Sequence, residues 1–275
     1  LTPREGIDPA RMGERRVQRF TASDGLPLEA IVTVPAGVRD PKALPMVLLP
    51  HGGPHGIRDD WEFDTDAQFL ASRGYLVLQV NYRGSGGRGA AFMEAGYLKW
   101  GTRIQDDLLD GVRWAIAQGM ADPKRVCVYG GSFGGYSAMM TVARAPGMFQ
   151  CAVGLAGIYD LDMMYSKGDI KRTDSGRHYL QRVIGRDAAE LAANSPVTLA
   201  GKITVPVLLA HGEDDERAPF AQAKAMRAAL TAAGHPPQWM AVPNEGHGFY
   251  NEANSIAFFN QLQAFLDAHI GDGAH

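Results

Sequence analysis

Ser132 lies in the stretch Val126-Cys127-Val128-Tyr129-Gly130-Gly131-Ser132-Phe133-Gly134-Gly135-Tyr136, a short apolar run leading into Gly-x-Ser-x-Gly and then a helical pattern. A serine at a sharp strand-to-helix turn is held in a strained backbone conformation with its hydroxyl projecting from the sheet edge. Glycines two residues to either side are needed there, because a side chain would collide with the neighbouring strand or helix. A hydroxyl is a poor nucleophile unless a base takes its proton, and that base must be oriented by a third group. After a serine in this context, the acid and then the base are expected on loops that follow later strands. The apolar run 206–210 ends in His211-Gly212-Glu213-Asp214-Asp215-Glu216-Arg217, and the run 238–242 leads to Asn244-Glu245-Gly246-His247-Gly248-Phe249. His247, flanked by glycines just before the final helical stretch, is the base candidate. For the acid, Asp214 and Asp215 are nearly tied by position, with Glu213 and Glu216 also in range.

A tetrahedral oxyanion formed at such a serine needs two donors. One is expected from the backbone N–H of Phe133, the residue after the nucleophile. The other is expected from the loop after an earlier strand, here Pro50-His51-Gly52-Gly53-Pro54-His55-Gly56, where Gly53 is the chosen donor. The other histidines fit the chemistry less well. His51 and His211 sit at strand ends and are expected to satisfy backbone groups, while His55, His178, His235, His269 and His275 are expected to be solvated or structural.

These residues require a scaffold of strands and helices. Residues 16–34 alternate around Ser23-Asp24-Gly25 as an antiparallel hairpin. Apolar β-rich runs follow at 46–50, 75–81, 125–129, 151–156, 206–210 and 238–242, with helical stretches at 103–118, 136–145, 220–233 and 256–270. Continuous apolar strands alternating with helices imply an α/β fold, a mostly parallel sheet covered on both faces. The interval 157–204 exceeds a simple connection and reads as an insertion, either part of a substrate pocket or an extra packing helix. The organisation expected is a single domain over 1–275, with 1–45 supplying a linker and the first strands.

Composition narrows the function classes. Lys+Arg 27 against Asp+Glu 30 leaves a net charge of -3, with no basic tract to favour nucleic acid or an anionic membrane. No apolar run approaches a bilayer span and there is no signal-like apolar segment, so a soluble cytoplasmic or periplasmic chain is expected. The start at Leu1 rather than Met reads as the mark of a processed or excised piece. Cys127 and Cys151 lie in apolar strand-like runs and are expected as two buried thiols, since core strands rarely host a disulfide. No arrangement of His, Asp, Glu or Cys matches a metal site, and no cofactor is required. Gly84-Ser85-Gly86-Gly87-Arg88-Gly89 spells Gly-x-Gly-x-x-Gly, but it follows a later strand and Gly96 and Gly101 interrupt the helix that a dinucleotide site would need.

Taken together, His51-Gly52-Gly53-Pro54, Asn81-Tyr82-Arg83-Gly84-Ser85-Gly86-Gly87, Gly130-Gly131-Ser132-Phe133-Gly134-Gly135-Tyr136, His211-Gly212-Glu213-Asp214-Asp215 and Glu245-Gly246-His247-Gly248 resemble the catalytic domain of the prolyl oligopeptidase family of serine peptidases. The likeness is strongest to its acylaminoacyl-peptidase and dipeptidyl-peptidase branches. The resemblance implies an α/β-hydrolase fold and a peptidase acting on oligopeptides or N-acylated peptides through an acyl-enzyme. It selects Asp215 as the acid, makes Arg217 a candidate for holding a substrate carbonyl, and implies an aromatic pocket to which Tyr159 and Tyr165 are candidates. It also implies a histidine-glycine-glycine oxyanion loop rather than the tyrosine hydroxyl of prolyl oligopeptidase proper. Family members carry an N-terminal β-propeller, which residues 1–45 are too few to supply, so this partner domain is expected to be absent from the chain. The same machinery would serve a carboxylesterase. A non-catalytic binding module that kept the fold is the alternative outside enzymes.

Overall fold

The alternation around Ser23-Asp24-Gly25 becomes two antiparallel strands, β1 (Glu14–Thr21) and β2 (Pro27–Val34), paired from Glu14 with Val34 to Thr21 with Pro27. The computed structural model describes residues 7–271, so His275 lies outside the described residues. The remaining strands are β3 (Leu44–Leu48), β4 (Leu76–Asn81), β5 (Ala121–Gly131), β6 (Cys151–Leu155), β7 (Val207–Gly212) and β8 (Gln238–Val242). They form one eight-stranded sheet in the order β1-β2-β4-β3-β5-β6-β7-β8. β2 joins β4 antiparallel, and every pairing from β4 to β8 is parallel.

The parallel strands are apolar on both faces because both faces are covered. Met46, Leu48, Leu76, Leu78, Val80, Val126 and Val128 contribute to one core. That core also takes residues of α3 (Arg103–Ala117) and α4 (Phe133–Arg144). Val47, Val77, Cys127, Tyr129 and Val153 point to the other face. There they meet residues of α1 (Thr65–Ser72) and α9 (Glu252–Ile270). The layers are those of an α/β-hydrolase. The short α2 (Ala90–Glu94) follows β4, and α8 (Ala221–Ala232) lies between β7 and β8. The interval 157–204 is helical: α5 (Met163–Ser166), a 3-10 turn Ile170–Arg172, α6 (Asp174–Val183), α7 (Ala188–Ala193) and a 3-10 segment Pro196–Lys202.

One expectation is corrected. Cys127 and Cys151 form a disulfide rather than two thiols. The parallel register of β5 and β6 sets these residues directly opposite each other with Cα atoms 4.8 Å apart, inside the range a disulfide bridges. Both also face the same core, so their Cβ vectors converge.

Candidate active site

The turn from β5 to α4 is built by close backbone approach. Ser132 has φ 57° and ψ -121°, and its N–H donates to the Leu155 carbonyl of β6 at 2.8 Å. It occupies the N-cap position of α4 but makes no capping bond with its side chain, which leaves the hydroxyl uncommitted to the helix. A Cβ on Gly130 would lie 2.5 Å from the Gly134 carbonyl carbon, and one on Gly134 would run into the Pro50 carbonyl. Both flanking glycines are therefore required by packing. Phe133 begins α4, so its N–H has no intrahelical acceptor and points out of the helix start.

The loop after β3 reaches the same place. A Cβ on Gly52 would sit 3.6 Å from the Ser132 Cβ, and Gly53, with φ 116°, follows it. His51 is buried and braces this loop. Its Nδ1 lies 2.7 Å from the Gly52 carbonyl, so that nitrogen carries the proton, and its Nε2 accepts from Ser85 Oγ at 2.8 Å. Burial pulls the ring down to about 4, partly offset by the bond to Gly52. Tyr82 stacks on the His51 ring at 4.3 Å and donates to the His51 carbonyl at 3.0 Å. Beneath Tyr82, Arg83 forks onto Asp107 at 2.8 and 2.6 Å, a buried bidentate pair. The Gly-x-Gly-x-x-Gly segment belongs to this brace, since Gly86 N–H donates to Ile57 O at 2.8 Å and Gly56 N–H to Gly84 O at 3.1 Å.

Across the sheet, the loops after β7 and β8 are packed so tightly that a Cβ on Gly212 would strike the carbonyls of Glu245 and Gly246. Asp214 N–H donates to Glu245 O at 2.9 Å. Of the acids at 213–216, Asp215 alone is buried, and its Oδ2 accepts from His247 Nδ1 at 2.8 Å. Its Oδ1 takes the N–H groups of Arg217 at 2.8 Å and Ala218 at 2.9 Å. Burial alone would raise the Asp215 carboxyl, but the bonds from His211 and His247 outweigh it and hold the group at about 2. The side chain of His247 is 29% exposed, so the ring is anchored on one nitrogen and open on the other side. Glu245 pins the turn to α9 by accepting from Tyr250 N–H, Asn251 N–H and Asn254 Nδ2.

The remaining sequence candidates fall in different surroundings. Arg217 is exposed, its Nε donating to Asp169 Oδ2 at 2.8 Å. With Ile170, Thr173, Gly176 and Tyr179, these two line a cavity of about 390 Å³. Tyr159 is fully buried in the core, packed under Gly154 and Gly157. Tyr165 is half-buried, donates to the Gly185 carbonyl and lies under Arg186 at 5.5 Å. Neither tyrosine lines the Arg217 cavity. Sequence reasoning gave Tyr82 and Ser85 no role, although their side chains brace His51, while the reading of His211 as satisfying a backbone group holds in its bond to the Ala218 carbonyl. Among the described residues, no group of three or more His, Cys, Asp or Glu is placed to hold a metal ion, and no helix is long and apolar enough to cross a membrane.

A serine at a strained elbow, a carboxylate-anchored imidazole and an open backbone amide at a helix start make a set suited to acyl transfer. A model of the prolyl oligopeptidase family matches residues 61–273. Dipeptidyl aminopeptidase BIII of Pseudoxanthomonas mexicana is 34% identical over 277 residues, covering 93% of this chain and 38% of that protein. The acylamino-acid-releasing enzyme of Arabidopsis thaliana is 30% identical, over 80% of this chain and 30% of that protein. Among solved structures, a puromycin-hydrolyzing peptidase of Mycobacterium tuberculosis superposes with a TM-score of 0.90 at 28% identity, over 98% of this chain and 41% of that one. The chain thus spans well under half the length of each of these relatives. With the family model matched across most of its sequence, the chain belongs to the prolyl oligopeptidase family.

Proposed function

We propose that this chain carries the acyl-transfer centre of a serine peptidase that cleaves oligopeptides or N-acylated peptides. The observation that carries the proposal is the 2.8 Å bond from His247 Nδ1 to Asp215 Oδ2, on loops at the same sheet edge as the Ser132 elbow. That bond fixes the tautomer in which Nε2 is free to take a proton. Ser132 Oγ attacks the scissile carbonyl carbon while His247 Nε2 removes the hydroxyl proton. The carbonyl electrons move onto the oxygen, which the N–H groups of Phe133 and Gly53 bind. The C–N bond then breaks, and His247 returns its proton to the departing amine. Water repeats the sequence on the acyl-enzyme, giving its proton to His247 and releasing the acid and Ser132. Asp215 stays ionised throughout. Arg217, steadied by Asp169, is the group proposed to hold a carbonyl of the bound substrate. The names of the relatives, which include puromycin hydrolysis, dipeptidyl aminopeptidase and acylamino-acid release, support amide substrates.

Treatment with a serine-directed fluorophosphonate, with and without Ser132→Ala, tests the centre. Wild-type labelling that vanishes in the variant is expected, and labelling that persists in Ser132→Ala would overturn the assignment. Turnover of aminoacyl anilides against short acyl esters then decides the substrate class. Cleavage of esters but of no anilide would favour a carboxylesterase.

A further inference from the structure

His211 ends β7 with its ring fully buried. Its Nε2 lies 2.7 Å from the Ala218 carbonyl and 3.2 Å from Asp215 Oδ2. Both neighbours are acceptors, so Nε2 must carry a proton; its N–H donates to the Ala218 carbonyl and lies beside Asp215 Oδ2. His211 Nδ1 is buried with no hydrogen-bond partner among the described residues. Asp215 Oδ2 is therefore flanked by two imidazoles: His247 donates to it at 2.8 Å, and the N–H-bearing Nε2 of His211 lies 3.2 Å away behind it. Keeping a buried polar ring whose far nitrogen is unsatisfied is costly, and an apolar residue would pack there without that cost. The Ala218 carbonyl and the adjacent Asp215 oxygen together supply a reason for the histidine.

Resting on the acyl-transfer reading above, we propose that His211 is a positioning residue that tunes the base: by holding its Nε2–H beside the Asp215 oxygen that binds His247, it sets the carboxylate and offsets part of its charge. With that donor present, Asp215 pulls less strongly on the proton that His247 acquires, and His247 passes it on more readily. The other charged groups on these loops are engaged elsewhere. Arg217 pairs with Asp169, Glu216 pairs with Arg172, Glu245 is tied to the start of α9, and Glu213 and Asp214 are exposed.

The test is the pH profile of Ser132 labelling by a fluorophosphonate in His211→Leu and His211→Gln. Leucine keeps bulk but no donor, whereas glutamine carries an N–H to about the position of Nε2. In His211→Leu the acid limb should move to higher pH by about one unit, roughly a tenfold slower rate on the acid side, with rates converging at higher pH. His211→Gln should keep the wild-type inflection. A rate that falls equally at every pH in His211→Leu, with the inflection unmoved, would mean that the ring only fills space and would overturn the proposal. Should leucine prevent folding, His211→Asn, whose amide stops short of Oδ2, is read by the same criterion. The low-field proton resonance of the His247–Asp215 bond, titrated in parallel, gives the inflection without a reactive serine. A wild type that fails to label thus breaks the acyl-transfer reading, while the resonance still decides the part played by His211.

Discussion

Two glycine-rich turns pack against opposite ends of one loop, residues 50–57, and they spend their glycines on different ends. The segment 130–135 joins β5 to α4, and its Gly134 abuts the Pro50 carbonyl; the turn 84–89 follows β4, and its Gly86 abuts the Gly56 carbonyl. Each contains a serine. Ser85 is fully buried and gives its hydroxyl to His51. Ser132 is half-exposed, has φ 57° and caps nothing. The amides differ as well. Gly84, Ser85 and Gly86 donate to Phe92, Tyr82 and Ile57 carbonyls, so these three N–H groups are not open to a phosphate. Glycine spacing reports close backbone approach in both places. Chemistry is possible only where the approach leaves a hydroxyl and an amide unspent.

The two serines give the widest separation. Ser132→Ala should lower turnover by on the order of 10⁶, the cost expected of removing the proposed nucleophile. Thermal unfolding should hardly change, because the hydroxyl holds no capping bond. Ser85→Ala should do the reverse, leaving buried His51 Nε2 without its donor at a cost of about 1–3 kcal/mol while the nucleophile is retained. Equal losses of turnover in the two variants would erase the distinction between the turns.

Next come the two glycines that touch the shared loop. Gly134→Ala and Gly86→Ala both press a Cβ into a backbone carbonyl, so each should cost about 1–3 kcal/mol by denaturant unfolding. Their effects on turnover should part. Gly134 lies inside the elbow, and a displacement on the order of 1 Å there should cost roughly a hundredfold in rate. Gly86 shifts only the brace, so its variant should lose less activity at matched folded fraction.

The elbow was legible because glycines at 130 and 134 are demanded by sterics that any sequence must obey, and the order serine, acid, histidine follows from strand order. The partner of His247 was not legible from spacing alone. Asp214 and Asp215 differ in sequence by nothing, yet Asp215 turns inward onto His247 while Asp214 is exposed and its backbone bonds Glu245. Element boundaries slipped where local propensity and tertiary packing disagree. α4 begins at Phe133 although Gly134 and Gly135 are poor helix formers, and β5 begins at Ala121 through Asp122-Pro123-Lys124, which does not read as a strand. α1 went unread because its hydrophobic pattern is weak. The disulfide needed the register of β5 on β6, which a single sequence does not reveal.

The smallest effects separate space from backbone angle as the reason for a glycine. Around Gly89 nothing lies within 4 Å of a built Cβ, but its φ is 85°, so Gly89→Ala should cost about 1–2 kcal/mol through backbone strain alone. Gly131 is the opposite case. Its φ is not positive and the nearest atom to a built Cβ is Leu155 O at 3.8 Å, so alanine fits without strain or clash. Gly131→Ala should change stability by no more than about 0.5 kcal/mol, with a small gain from the stiffer unfolded chain. Denaturant midpoints of the two variants decide the matter. A larger loss for Gly131→Ala than for Gly89→Ala would mean that the elbow tolerates no change even where there is room.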